Sequence, residues 1–244
     1  MTGVLDGRAV LVTGASSGIG AATASAVVAA GGRVALLARR TEALEGLADK
    51  LGSSALALSC DITSESSVST AVDATAERFG GLDAVVNAAG VFTAGPVADT
   101  DPSAWRTMFE VNVLGMLTVV RAAVPHLRNG QAPAVVNISS MSGRRVPNPD
   151  SGVYAATKFA VHALGEALRM QLAHDRIRVS TIAPGMVDTS IADDWPDSDH
   201  KRRFRERLRS DGLSPEAVAN AVVHVLSTPA EVNVVEYAVM SIRQ

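Results

Sequence analysis

Tyr154 stands four residues before Lys158 in the stretch SGVYAATKFAVHALGEAL, residues 151–168. The chain has only two tyrosines, and its lysines are Lys50, Lys158 and Lys201. On a helix this spacing puts the two side chains on one face, a turn apart. A phenol with a pKa of ~10 is a poor base at neutral pH. A neighbouring ammonium favours the phenolate and lowers that value. The pair is therefore suited to general acid/base work on an alcohol or a carbonyl. Taken alone it also fits the edge of an ordinary amphipathic helix, so its neighbours decide. Ser139 and Ser140 close the preceding strand, and strand carboxyl ends form the site of an open α/β sheet. Asn112 is embedded in the apolar stretch FEVNVLGMLTVV. A buried amide there must find partners, either structural ones or members of a proton relay.

A second constellation binds rather than reacts. VLVTGASSGIGAA runs from a strand through glycines into a helix, with Gly14, Gly18 and Gly20 spaced G-x-x-x-G-x-G. Glycines permit a sharp turn and a close approach by a pyrophosphate, and the helix N-terminus offers N–H donors. No lysine follows, so this is not the loop that holds nucleoside triphosphates. An acidic residue ~20 positions on would take the ribose 2′-hydroxyl of NAD(H). Ala38, Arg39 and Arg40 stand there instead. Two guanidiniums suit a 2′-phosphate and hence NADP(H). Arg39, first after the strand, is the better candidate, and Arg40 is expected to face solvent. Asp61 follows the third strand and is placed to accept from an adenine amino group, or else to serve as a turn residue.

The elements that must carry these residues alternate. Strands are predicted over 8–14, 33–38, 54–60, 82–88, 134–139, 178–184 and 233–240. Helices are predicted over 17–30, 42–51, 65–79, 102–128, 152–174 and 215–227. The strands are almost continuously apolar, as in sheets covered on both faces. Asp101-Pro102 and Ser214-Pro215 each set a capping residue before a first-turn proline. This points to one α/β domain, Rossmann-like and doubly wound, spanning 1–244, with a seven-stranded parallel sheet and helices on both faces. A cofactor half of about 1–135 precedes a catalytic and substrate half of about 136–244. The polar segment 190–212 is expected to form a loosely held lid, with Phe204 and Leu208 turned inward.

Hydrophobic residues make up 47 % and charged ones 19 %, which suits a large core, and the net charge of −3 argues against a general nucleic-acid surface. No uninterrupted apolar run reaches the ~18 residues of a membrane span. The single cysteine, Cys60, cannot form an internal disulfide and fits a reducing cytoplasm. No spacing suggests a metal site. His162 and Glu166 are read as a helix-surface pair, Arg144 and Arg145 as a solvated loop, and Cys60 as core packing. Trp195 could cover an apolar substrate or anchor its loop.

The chain resembles the short-chain dehydrogenase/reductase family over essentially its whole length. The resemblance rests on TGASSGIG (13–20), Asp61, NAAG (87–90), Asn112, the ISS end of the fifth strand, YAATK (154–158) and PGMVDT (184–189). It implies an NADP(H)-dependent oxidoreductase that interconverts an alcohol and its aldehyde or ketone. Tyr154 would be the acid/base, Lys158 would bind the nicotinamide ribose and lower the tyrosine pKa, and Ser140 would polarise the carbonyl. Ser139 and Ser142 are the alternatives, because Ser140 lies 14 residues before Tyr154. Asn112 would hold a water that links Lys158 to solvent. Cofactor contacts are implied for Gly14, Ser16, Ser17, Gly18, Ile19, Gly20, Arg39, Arg40, Asp61 and Ile62. They are also implied for Asn87, Ala88, Ala89, Gly90, Tyr154, Lys158, Pro184, Gly185, Val187 and Thr189. The ending VNVVEYAVMSIRQ resembles the branch of serine/3-hydroxy-acid and clavaldehyde dehydrogenases, and disfavours an acyl-carrier-protein 3-oxoacyl reductase. A regulatory dinucleotide sensor on this fold usually loses the tyrosine or the lysine, and epimerases or dehydratases usually need a longer C-terminal domain. A homodimer or homotetramer is implied, built on the helices at 102–128 and 152–174.

Overall fold

The computed structural model describes residues 3–244. Seven parallel strands lie in the order β3-β2-β1-β4-β5-β6-β7. They are β1 (Ala9–Thr13), β2 (Arg33–Ala38), β3 (Ala55–Ser59), β4 (Ala84–Asn87), β5 (Ala134–Ile138), β6 (Arg178–Pro184) and β7 (Glu236–Val239). The order reverses between β1 and β4, so a crevice opens above their carboxyl ends.

Alternation along β1 divides the core. Val10 and Val12 face α1 (Gly18–Ala29), α2 (Thr41–Leu51) and α8 (Pro215–Ser227), where Val27, Leu44 and Val222 are fully buried. Ala9 and Leu11 face α3 (Glu65–Phe79), α5 (Met116–Leu127) and the end of α6 (Gly152–Leu172), through Val72, Val119 and Leu172. The doubly wound expectation holds. Both expected caps are present: Asp101 accepts from Ser103 N at 2.7 Å, and Ser214 from Ala217 N at 3.3 Å.

Two features depart from the sequence reading. The stretch expected as one helix over 102–128 is α4 (Pro102–Phe109), a π-helical turn (Glu110–Gly115) and α5. Asn112 sits in that wide turn. By length and hydropathy Pro102–Leu127 could cross a membrane, although charged residues interrupt it. Here it is a core helix of the sheet, with Val119, Val120, Ala123 and Leu127 buried. Second, Arg8 and Arg178 are buried side by side at the start of β1 and β6. Both donate to the carbonyls of Leu226 and Ala132, closing the C-terminal end of α8.

Candidate active site

The phosphate cradle follows from contacts that only glycine permits. Gly14 has φ +68°, and a Cβ there would lie 2.8 Å from Ala89 Cα. A Cβ on Gly20 would lie 2.3 Å from Gly14 O. The turn at Gly14 is therefore closed against both α1 and the NAAG turn. Thr13 Oγ1 accepts from the N–H of Ala88 and of Ala89, each at 3.1 Å, and fixes that turn from below. Asn87 donates to Asn137 Oδ1 across the β4–β5 register at 2.9 Å. The open N-terminus of α1 has no acidic residue in its first turn, which leaves its partial positive charge for an anion.

The arginines sort differently from expectation. Arg40 does not simply face solvent. Its Nη2 donates to Ser16 Oγ and to Ser17 Oγ, both at 3.0 Å. The loop before α2 turns back toward the cradle, so the second guanidinium, not the first, overhangs it. Arg39 is exposed and lies near Asp61, whose carboxyl is held below the usual range by two bonds from Thr63 and by the Arg39 charge. Ile62 is buried beside Gly115, and Ile19 packs on the core under the cradle.

Pro184 ends β6, and Gly185 through Thr189 lead from it to the cradle. Val187 is buried and bridged to Leu213. Thr189 abuts Gly18, where a Cβ would come within 3.0 Å of its methyl. Ser190 Oγ donates to Ser17 Oγ at 3.1 Å.

The reactive residues converge at the carboxyl ends of β4 and β5. Lys158 is buried, 4 % exposed, and its Nζ donates to Ile138 O at 3.0 Å. It lies 5.6 Å from the Tyr154 ring centroid. The Ser140 hydroxyl lies near that of Tyr154 and favours its ionised form. Ser139, the alternative, is turned away: its hydroxyl donates to Lys158 O at 3.2 Å. Ser142 meets Ser140 through its backbone N–H, which Ser140 Oγ accepts at 3.0 Å. Asn112 accepts from Val91 N at 2.8 Å, and donates to Val91 O at 2.9 Å and to Thr157 Oγ1 at 3.1 Å. Its amide is thus consumed in tying the wide turn to the segment after NAAG. A Cβ on Gly90 would lie 3.3 Å from Asn112 Oδ1 and 3.7 Å from Lys158 Nζ, so Gly90 lets the three groups meet.

Burial acts on both members of the pair. Burial pushes Tyr154 up to about 12, with Ser140 working the other way. Burial also pulls Lys158 down to about 8. Lys158 is buried and Tyr154 half-buried, and loss of water disfavours the charged form of each.

The lid is better seated than its polar composition suggested. It contains α7 (Asp199–Asp211), and Ala192 and Leu208 are buried. Trp195 stacks on Phe204 with centroids 4.9 Å apart and meets Phe92 edge-on at 5.1 Å. Phe92 in turn lies 4.6 Å from Tyr154. Trp195 Nε1 also donates to Phe92 O at 2.6 Å, so this side chain both anchors its loop and covers the site. Phe204 and Leu208 turn inward as expected.

Phe92 was not singled out from the sequence. Its signal was an aromatic two residues past NAAG. Gln244 was also missed. Its side-chain amide accepts from Met186 N at 2.6 Å and donates to Met186 O at 2.9 Å and Asp211 O at 3.1 Å. It joins the two ends of the lid. Gln244→Ala should raise amide hydrogen exchange across 186–212 without shifting the core strands. The opening should cost about 1–2 kcal/mol less, the scale of one or two net hydrogen bonds. Unchanged exchange in that segment would remove Gln244 from the hinge.

A profile of the short chain dehydrogenase family matches residues 8–200. The chain belongs to the short-chain dehydrogenase/reductase family. It is similar to an uncharacterised oxidoreductase of Staphylococcus aureus, 35 % identical over 97 % of this chain and 98 % of that one. A serine dehydrogenase solved in its closed form with NADP+ superposes with TM-score 0.90 at 29 % identity, over 97 % of this chain and 96 % of the other. A family member from Burkholderia phymatum solved with NAD superposes with TM-score 0.87 at 27 % identity, over 96 % and 89 %. The chain is an oxidoreductase of this family, whose members use a nicotinamide dinucleotide. The other flagged residues lie apart from this site's chemistry. Arg144 pairs with Glu236 at 2.7 Å, Glu166 with Arg169, and Cys60 is a buried free thiol. Among the described residues no cluster could hold a metal ion.

Proposed function

We propose that this short-chain dehydrogenase/reductase is an NADP(H)-dependent carbonyl reductase or alcohol dehydrogenase, with Tyr154 as the acid/base. The observation that carries the reading is the Ser140–Tyr154–Lys158 constellation at the strand ends. When bound, NADP(H) supplies or accepts the hydride. Gly14 to Gly20, the NAAG turn and Pro184 to Thr189 would hold its phosphates and nicotinamide.

The Ser140 hydroxyl is positioned to donate to a carbonyl oxygen and concentrate charge there. Tyr154, held protonated at neutral pH, is in the form needed to donate to the forming alkoxide. Lys158 would hold the nicotinamide ribose and replace the proton that Tyr154 gives up. Asn112 keeps the wide turn against Val91 and so fixes the wall beside Lys158. The test is NADPH absorbance with a panel of aldehydes and ketones. Retained NADPH binding with no turnover of any of them would favour a dinucleotide sensor.

The NADP(H) preference rests on two arginines where an acid would serve NAD(H). Arg40 gains the larger part, because it already overhangs Ser16 and Ser17. A guanidinium–phosphate contact at an exposed rim contributes about 1.5–3 kcal/mol, or about ten- to a hundredfold in affinity. Arg40→Ala should weaken NADPH by about tenfold and leave NADH nearly unchanged, Arg39→Ala should do less, and Ala38→Asp should reverse the preference. Wild-type dissociation constants for NADPH and NADH within about threefold of each other would reject this assignment.

Assembly is part of the proposal. Phe109, Leu114, Phe159 and Met170 are exposed large apolar residues on the helices around the π turn and on α6. A homodimer or homotetramer would cover them. Light scattering that gives a monomer at micromolar concentration would reject it. The buried free thiol of Cys60 suits a reducing cytoplasm.

A further inference from the structure

We propose that the substrate of this site is a neutral carbonyl compound, or its alcohol, with an aromatic or conjugated group next to the reacting carbon. This rests on the reading that Tyr154 protonates a carbonyl oxygen.

Aromatic residues are scarce in this chain, at 4 %. Of its five phenylalanines and two tryptophans, Phe92 packs on the Tyr154 ring, and Phe204 and Trp195 gather on Phe92. They come from three separate places: the segment after β4, the lid loop and α7. Phe92 lies 4.6 Å from Tyr154, and the stacked Trp195 and Phe204 both meet Phe92 edge-on, at 5.1 Å and 6.0 Å. The polar end of Trp195 is consumed by Phe92 O. What the cluster offers a ligand is apolar ring surface, part of it covered by the Trp195 contacts with Phe204 and His200. A carbonyl whose oxygen reaches the Tyr154 hydroxyl carries its substituents along this wall. Flat rings stack there with offset or edge-on geometry and gain more than the area alone provides.

The cations nearby are already engaged. Arg144 Nε donates to Glu236 at 2.7 Å, and the same carboxylate lies 3.7 Å from His162. Lys201 on the lid donates to Asp193 O, Trp195 O and Asp197. Arg205 pairs with Asp193 at 3.3 Å. Lys158 is turned onto Ile138 O. A substrate carboxylate among the rings would be desolvated without a partner, which is costly. Arg145, exposed beside Arg144, is the one cation of that loop with no ion pair among the described residues. It is therefore the control.

The matched pair is methyl benzoylformate and benzoylformate, which share an aryl ketone and differ in charge. Methyl pyruvate replaces the ring by a methyl, and 2,3-butanedione reports hydride chemistry with little demand on the wall. With NADPH, the aryl ester should exceed the acid in kcat/KM by at least about a hundredfold, and methyl pyruvate by about tenfold. Phe92→Ala and Trp195→Ala should each remove most of the aryl-over-methyl preference, read within each variant as the ratio of kcat/KM for methyl benzoylformate to that for methyl pyruvate, so that any general loss of turnover cancels. Arg145→Ala should not alter turnover of the ester. Turnover of the acid at or above that of the ester overturns the neutral-substrate assignment and leaves the reductase reading intact. So does an acid activity that Arg145→Ala abolishes. An aryl preference that survives both ring deletions overturns the aromatic wall. If no carbonyl on the panel, butanedione included, oxidises NADPH, the reductase reading and this inference fall together.

Discussion

Tyr154→Phe leaves the protein folded and able to bind NADPH, and lowers carbonyl turnover by at least about 10². The substitution removes only a hydroxyl. The ring stays against Phe92, 4.6 Å away, so the wall and the lid keep their seat. What disappears is the proton donor beside Ser140. Ser140 can still polarise a carbonyl, but the alkoxide must then draw its proton from water, which the aromatic lid restricts. Loss should therefore fall on kcat more than on KM. Steady-state rates beside NADPH titration by fluorescence separate the two. Activity within about threefold of wild type would sink the acid/base assignment, since general acid/base loss is far larger.

Lys158→Met has the second large effect, and it acts in opposite directions on activity and stability. Turnover should fall by at least about 10², because the ammonium is expected to serve both the ribose and the tyrosine. Stability should rise at neutral pH. The lysine is 4 % exposed, has no carboxylate partner, and is pulled down to about 8 by burial. In the unfolded chain it titrates at ~10.4. Below pH 8 both states are protonated, so the folded state bears the full cost of a buried charge. As pH rises through about 8 the folded lysine loses its proton first, and the cost fades until the unfolded value is passed. The cost is about 3 kcal/mol at neutral pH, and the lost bond to Ile138 O returns about 1 kcal/mol of it. The variant should therefore be more stable than wild type by about 2 kcal/mol at pH 7, with the gap closing by about pH 10. Urea denaturation at the two pH values checks this. A variant less stable than wild type at pH 7 would mean that Lys158 is satisfied in the fold rather than held there for the reaction.

Such an arrangement, costly in the resting protein and useful only with ligands present, is common at catalytic sites. It also explains why the pair was legible. Tyr154 and Lys158 needed only the helical repeat to bring them together, and Gly14, Gly18 and Gly20 needed only a strand followed by a helix. Features set by spacing within one element, or between two adjacent ones, can be read along a line. The seven strands, the doubly wound order and the proline-backed caps at Asp101 and Ser214 belong to that class, because hydrophobic period and local hydrogen bonding decide them.

The remainder depends on residues far apart in the chain. Which serine meets Tyr154 was open among three neighbours. The packing of Ser139 onto Lys158 O turned Ser140 toward the phenol. Arg40 rather than Arg39 overhangs the cradle because the loop before α2 bends back to Ser16 and Ser17. The helix expected over 102–128 opens into a π turn at Asn112, whose amide is claimed by Val91 and Thr157 from other segments. Arg8 and Arg178 lie 170 positions apart, yet meet on the same two carbonyls. The wall of Phe92, Trp195 and Phe204 has no sequence motif, because its three rings approach only when the lid folds over β4. The Tyr154 and Lys158 pKa values also belong to the tertiary structure. The sequence placed an ammonium beside a phenol, and burial adds a shift of its own to each, upward for the tyrosine and downward for the lysine. Local spacing determined which residues could react and where the cofactor's phosphates would lie. Long-range packing decided how those residues are charged and what surrounds them, because desolvation and side-chain contact are properties of the folded volume, not of the chain order.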